Sequence, residues 1–200
     1  MLFPFLAIFI IFLLAINLLR VKATHIEEEK EIAFWDRESL ANQTRRKDIS
    51  NLSYVTIPFD KLPFGICNLP ECKEIEEKLT ALSEDKILKL SDISNTDLKL
   101  QYGAANLALL SRYDANFTEF SNLIFRYGEL LKENDFTNES IQVLEYGVSA
   151  KIDMSKLFLL LANLYQDTNQ SEKIRNLINQ TTNLSPLLQD STKQQLEAML

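Results

Sequence analysis

Residues 121–165 read SNLIFRYGELLKENDFTNESIQVLEYGVSAKIDMSKLFLLLANLY. Ile124, Tyr127, Gly128 and Leu131 return 34 positions later as Phe158, Leu161, Ala162 and Tyr165. Steps of three and four put each set on one face of a helix, because 3.6 residues complete a turn. Asn134-Asp135 ends the first helix, and Thr137-Asn138 begins another that carries Ile141, Leu144 and Val148. The spacing predicts a further pair over 154–168 and 171–183, then Pro186 and a last helix ending near Met199. No alternation of strand type competes, so the chain is expected to be mainly α, built of antiparallel helical hairpins. Gly128, Ser140, Gly147 and Ala162 supply the small side chains that let paired helices approach closely.

Upstream, Ile75, Leu79 and Leu82 form one apolar stripe. Ser83 is then expected to break the helix and cap another through Ile87, Leu88 and Leu90. Asn95 or Thr96 can cap a helix carrying Leu98, Tyr102, Ala105, Leu109 and Tyr113, and Asn116 can cap the run through Phe117 and Phe120. Residues 49–70 contain Pro58, Pro63, Gly65 and Pro70, which read as an extended linker packing along the helices through Tyr54, Ile57, Phe59 and Phe64. Residues 71–200 make the helical domain. Cys67 and Cys72 are free thiols in a reducing compartment, or close a small loop in an oxidising one.

At the N-terminus, 17 of the first 19 positions are apolar and none is charged. Nineteen helical residues span about 28 Å, close to the ~30 Å of bilayer hydrocarbon. Residues 1–22 are therefore expected to be a single transmembrane helix, with Arg20 and Lys22 reaching toward the headgroups. A cleaved secretory signal is the alternative, with Val21-Lys22-Ala23 as its cleavage region. The missing N-terminal cation and the length of the apolar stretch count against it. Arg20, Lys22, Arg37 and Arg45-Arg46-Lys47 all follow the segment, so the positive-inside rule places residues 20–200 in the cytoplasm. The opposite orientation, an exported envelope or surface protein, rests on the dilution of those cations by Glu27, Glu28, Glu29 and Glu31. Residues 23–48 read as a juxtamembrane helix that leaves the membrane as a solvated stalk.

With Lys+Arg 21 against Asp+Glu 28, the net charge of −7 disfavours nucleic-acid binding, which wants a basic face. One His and four Gly leave little from which to build metal or phosphate sites. The chain has no G-x-G-x-x-G, P-loop, H-E-x-x-H or G-x-S-x-G pattern. No cofactor, metal or catalytic residue is expected, and the acidic run Glu74-Ile75-Glu76-Glu77 reads as a solvated helix face.

Over residues 121–188 the pattern resembles the tetratricopeptide family, whose repeat is 34 residues long and whose first helix shows aromatic-x-x-Leu-Gly-x-x-Tyr. Pro186 matches the closing proline of the second copy. Leu131, Ile152 and Ile174 depart from the family's Tyr, Pro and small residue. The whole layout also resembles membrane-anchored proteins of Gram-positive bacteria. The resemblance implies stacked hairpins, an α-solenoid, whose first helices line a groove for a protein or peptide partner. Carried onto the two copies, it brings Asn122, Phe125, Glu129 and Lys132 to that face, followed by Lys156, Leu159, Asn163 and Gln166. The expected function is a membrane-anchored scaffold or adaptor; an enzyme with an unrecognised site is the remaining class.

Overall fold

A residue with a short polar side chain tolerates the left-handed backbone region, and this chain uses that property twice at the period of its sequence. In the computed structural model, which describes residues 3–90 and 93–200, with side chains from Phe9 onward except Ile11, Asp135 has φ 65° and Asn169 has φ 58°. Each ends a helix, and the amide that follows folds back onto it. Phe136 N–H donates to the Leu131 carbonyl at 2.9 Å, and Gln170 N–H to the Tyr165 carbonyl at 2.7 Å.

The α-helices in chain order are α1 (Phe3–Gln43), α2 (Pro70–Leu82), α3 (Asn95–Tyr102), α4 (Leu107–Glu133), α5 (Thr137–Ser149), α6 (Ser155–Asp167), α7 (Ser171–Gln180) and α8 (Pro186–Glu197). Among the described residues, extended backbone meets in one isolated antiparallel bridge, Val55 with Ile87. The chain divides into two compact units: Met1–Ile49 with Ile93–Leu107, and Ser50–Asp92 with Ala108–Leu200.

The larger unit packs its helices through the small residues. A Cβ on Gly128 would stand 2.6 Å from Leu144 Cδ2, and one on Gly147 would stand 2.7 Å from Leu157 Cδ1. Ser140 Oγ donates to the Gly128 carbonyl at 2.7 Å, so its hydroxyl is satisfied inside the α4–α5 contact. Phe120, Ile124, Tyr127, Leu144, Phe158, Leu161 and Ala162 are all buried in one core. The linker belongs to that core. Ile57 and Leu62 are buried in it, Phe64 packs on it, and Tyr54 and Phe64 meet Tyr113 and Tyr127 edge to face. Phe59 stays exposed and touches Phe64.

Several boundaries differ from those the sequence predicts. Ser83 closes α2 instead of opening a helix: its Oγ donates to the Thr80 carbonyl at 2.6 Å. Residues 86–90 run extended, with Leu88 N–H bonded to the Tyr113 carbonyl at 3.1 Å. Asn116 caps nothing and lies inside α4, its amide donating to Asp85 Oδ2 at 3.2 Å and the Lys86 carbonyl at 2.9 Å. Without Gly or Pro nearby, α4 runs through that point unbroken. The expected helix from Leu98 to Tyr113 is instead broken at Gly103, whose φ of 91° suits glycine. The cap of α3 is Ser94, one residue earlier than expected, accepting from Asp97 N–H at 3.2 Å.

In the smaller unit α3 docks on the C-terminal part of α1. Arg37 pairs with Asp97, Lys99 pairs with Glu38, and Thr96 Oγ1 donates to Glu38 Oε2 at 2.7 Å. Asn106 is fully buried. Its amide nitrogen donates to the Lys47 and Tyr102 carbonyls at 2.8 Å each, while its oxygen accepts from Arg46 Nε at 2.9 Å. A Cβ on Gly103 would collide with the Arg45 carbonyl, so the backbone approach itself selects glycine.

The expected anchor and juxtamembrane helix form a single helix, α1. Met1, Leu2 and the side chains of Phe3–Ile8 and Ile11, on which part of the 1–22 expectation falls, lie outside the described residues. Among the described residues no helix is long and apolar enough to cross a membrane.

Candidate functional site

Asn122, Phe125, Glu129 and Lys132 lie along α4, and Lys156, Leu159, Asn163 and Gln166 lie along α6. Asn122, Lys132, Lys156 and Asn163 are exposed. Phe125 and Leu159 are half-buried and pack on the core, which spends their apolar surface on folding. Glu129 pairs with Arg126 at 3.3 Å. Gln166 donates its amide to the Met199 carbonyl, so the C-terminus already holds it. Among the described residues no hydrogen bond or ion pair joins the α4 set to the α6 set. Asn122 lines a cleft of about 220 Å³ with Phe117, Asp153 and Met154.

A larger depression, of about 330 Å³, lies between α5, α6 and α7. Its floor is Val148, Leu161 and Leu177; its rim carries Glu145, Lys173 and Asn176. Tyr165 Oη donates to Glu145 Oε1 at 2.8 Å, and Lys173 Nζ donates to the same oxygen at 2.9 Å. The ammonium also stands 5.2 Å from the centre of the Tyr165 ring. Burial, reinforced by the bond to Glu145, pushes the Tyr165 phenol well above its ordinary range, so it stays a neutral donor. Glu145 and Lys173 are 41% and 46% exposed, and an ion pair so wetted contributes little to stability. It leaves a charged pair at the lip of an apolar hollow, able to exchange partners with a ligand. Sequence reasoning missed this cluster: Glu145, Tyr165 and Lys173 come from three helices and share no spacing rule.

A second arrangement concerns the extended segment. Tyr127 Oη lies 2.9 Å from the Pro63 carbonyl and 2.7 Å from Glu76 Oε1, sharing one proton between two acceptors. Glu76 Oε1 also accepts from Gly65 N–H at 2.9 Å. Burial first, then the Glu76 carboxylate, raises the Tyr127 pKa far above that of free tyrosine. Tyr146 Oη donates to the Thr56 carbonyl at 2.9 Å, and burial pushes its pKa up to about 12. Gln142 supplies a third donor, to the Lys61 carbonyl. Side chains of α4 and α5 thus hold the linker through its carbonyls, and the linker, expected to be extended, folds through a turn in which Lys61 and Leu62 N–H donate to the Pro58 carbonyl at 2.9 and 3.1 Å. The expectation that Glu76 is merely solvated is corrected here, since it is half-buried and bonded.

Cys67 and Cys72 are both buried and form a disulfide that ties the end of the extended segment to the first turn of α2. No group of three or more metal-ligating side chains occurs among the described residues. No family model, no curated protein and no solved structure matches the chain.

Proposed function

We propose that this chain is a membrane-anchored helical-repeat module that holds a protein segment at the membrane, a scaffold or adaptor rather than an enzyme. The observation that carries the reading is the pair of left-handed turns at Asp135 and Asn169, 34 residues apart with matching backbone closures. Their spacing supports a tetratricopeptide-like stack of α4–α5 on α6–α7. The depression between α5, α6 and α7, with an apolar floor and a charged rim, supplies a recognition surface of the kind a peptide needs.

Anchoring is supported by α1. Phe9, Ile10, Phe12, Leu13, Leu14, Leu18, Leu19 and Val21 are exposed, and at 100° per residue they are spread around the helix with no gap wider than about 100°. A helix apolar all round is suited to lipid rather than to one partner face. Confinement to a membrane raises the local concentration of membrane-bound partners, so a shallow site suffices.

Arg20 and Lys22 favour the cytoplasm for the folded units. The Cys67–Cys72 disulfide favours the opposite reading, an exported module, since such bonds persist in oxidising compartments. Both readings are tested on the full-length chain in cells. Acid quenching, denaturation and alkylation with a large maleimide is expected to add two adducts if the module is cytoplasmic and none if it is exported. Photo-crosslinking from position 176, at the rim of the depression, is expected to capture one defined protein. A chain that leaves the membrane in a high-salt wash, or crosslinks to nothing, overturns the proposal.

A further inference from the structure

Between the apolar part of α1 and the docking site of α3, the helix carries a surface that stability does not explain. Ile32 and Trp35 are 61% and 59% exposed. They sit with Glu28, Glu31 and Asp36 at positions i, i+3, i+4, i+7 and i+8, one continuous helix face, around a hollow of about 460 Å³. Trp35 Nε1 donates to Glu31 Oε1 at 3.4 Å, which turns the indole toward the acidic side chain. Over residues 27–36 the acids are Glu27, Glu28, Glu29, Glu31 and Asp36, and Lys30 is the one base. His25 Nδ1 stands 4.0 Å from Glu28 and adds a cation only when protonated.

The geometry points to this face as a docking surface for a cationic amphipathic helix, one with Lys or Arg beside a strip of aliphatic side chains. Charge complementarity selects that occupant. An exposed Trp flanked by carboxylates offers an aromatic face for a cation and an apolar surface for a neighbouring Leu or Ile, and Trp is the side chain most often dominant at interfaces. A second copy is a poor occupant, because a parallel α1 in the same membrane sets Glu27–Glu31 against its own duplicate at the same height. In the anchored-module reading, on which the identity of the partner rests, the face lies about 9–20 Å beyond Lys22 along a helix that rises ~1.5 Å per residue. Cytoplasmic juxtamembrane segments of other membrane proteins, which are rich in Lys and Arg, emerge at that height.

Trp35 is the single tryptophan of the chain, so its emission reports this face alone. The full-length chain in zwitterionic nanodiscs is titrated with a synthetic Trp-free helical peptide of about 18 residues, about five turns, bearing Lys on one face and Leu on the other. Empty discs serve as the blank. A saturable blue shift is expected, with an affinity reduced at least ~10-fold in Glu28→Lys, Glu31→Lys. The remote reversal Glu172→Lys, Asp190→Lys is expected to leave it unchanged while circular dichroism stays the same in all three. An unsaturable response, equal responses in both reversals, or a shift driven by protein concentration without peptide overturns the inference. The readout is independent of orientation: a chain that fails to stay in discs refutes the anchor, and this titration in solution still decides the docking face.

Discussion

Replacing Gly128 by alanine sets two known effects against each other at one atom. A helix interior favours Ala over Gly by about 1 kcal/mol, so an open site would be stabilised. The new Cβ, however, would lie 2.6 Å from Leu144 Cδ2 and 2.8 Å from its Cγ, and Leu144 is fully buried. Rotation about χ2 leaves the Cγ in place, so α4 and α5 must separate or Leu144 must change its χ1 rotamer, at a cost of roughly 1–3 kcal/mol. The net expectation is a loss of about 1 kcal/mol, or roughly 2–4 °C in Tm for a chain of this size. Gly128→Leu should lose clearly more, and Lys132→Ala, on an exposed side chain, almost nothing. Urea denaturation with a double-mutant cycle isolates the contact. Leu144→Ala alone opens a cavity at about 2–5 kcal/mol, whereas in the Gly128→Ala background the added methyl occupies part of that space. A favourable coupling of about 1 kcal/mol or more is therefore expected. Stabilisation by Gly128→Ala alone, with additive behaviour in the cycle, would refute the close approach of these helices.

Tyr127→Phe removes the proton shared by the Pro63 carbonyl and Glu76, and should cost about 1–3 kcal/mol in denaturant unfolding. Tyr146→Phe, losing one bond to Thr56, should cost about 0.5–1.5 kcal/mol; a reversed order would contradict the assigned anchoring of the extended segment. Acid should loosen α3 from α1. The Lys99 hydrogen bond holds Glu38 below its ordinary 4.5, and the Ser94 hydroxyl holds Asp97 below its ordinary 3.8. Because both folded values are depressed, their contribution is present above the ordinary values and is lost as pH falls through the folded ones. Hydrogen-exchange protection factors of residues 95–106, corrected for intrinsic rates, should fall below about pH 4 and not between pH 7 and 5. Flat protection down to pH 3 would show that these pairs do not hold α3.

What the sequence determined by itself was local or periodic. Apolar residues at three and four mark α2 and α4 to α8, because a helix repeats every 3.6 residues and its buried face must repeat with it. The 34-residue offset was legible for the same reason, and so was the end of α4 at Asn134-Asp135, where a short polar side chain accepts positive φ. The apolar positions of the linker, Ile57 and Phe64 among them, were legible as chain in need of burial. Tertiary structure decided what depends on partners distant in sequence. Asn116 lost its capping role because Asp85 and Lys86, 31 and 30 residues away, took up its amide. The helix through Tyr102 broke because the Arg45 carbonyl, 58 residues earlier, comes so close that only glycine fits at 103. Residues 93–107 left the helical domain expected of 71–200 for α1, held there by Arg37, Glu38 and the buried amide of Asn106. Glu145, Tyr165 and Lys173 became one cluster only when three helices converged. A hydrogen bond between residues 20 to 90 positions apart imposes no spacing on the chain, so no pattern announces it. The eight residues drawn from the repeat lie on α4 and α6, and packing decided which of them stay exposed, since Phe125 and Leu159 pack against the core.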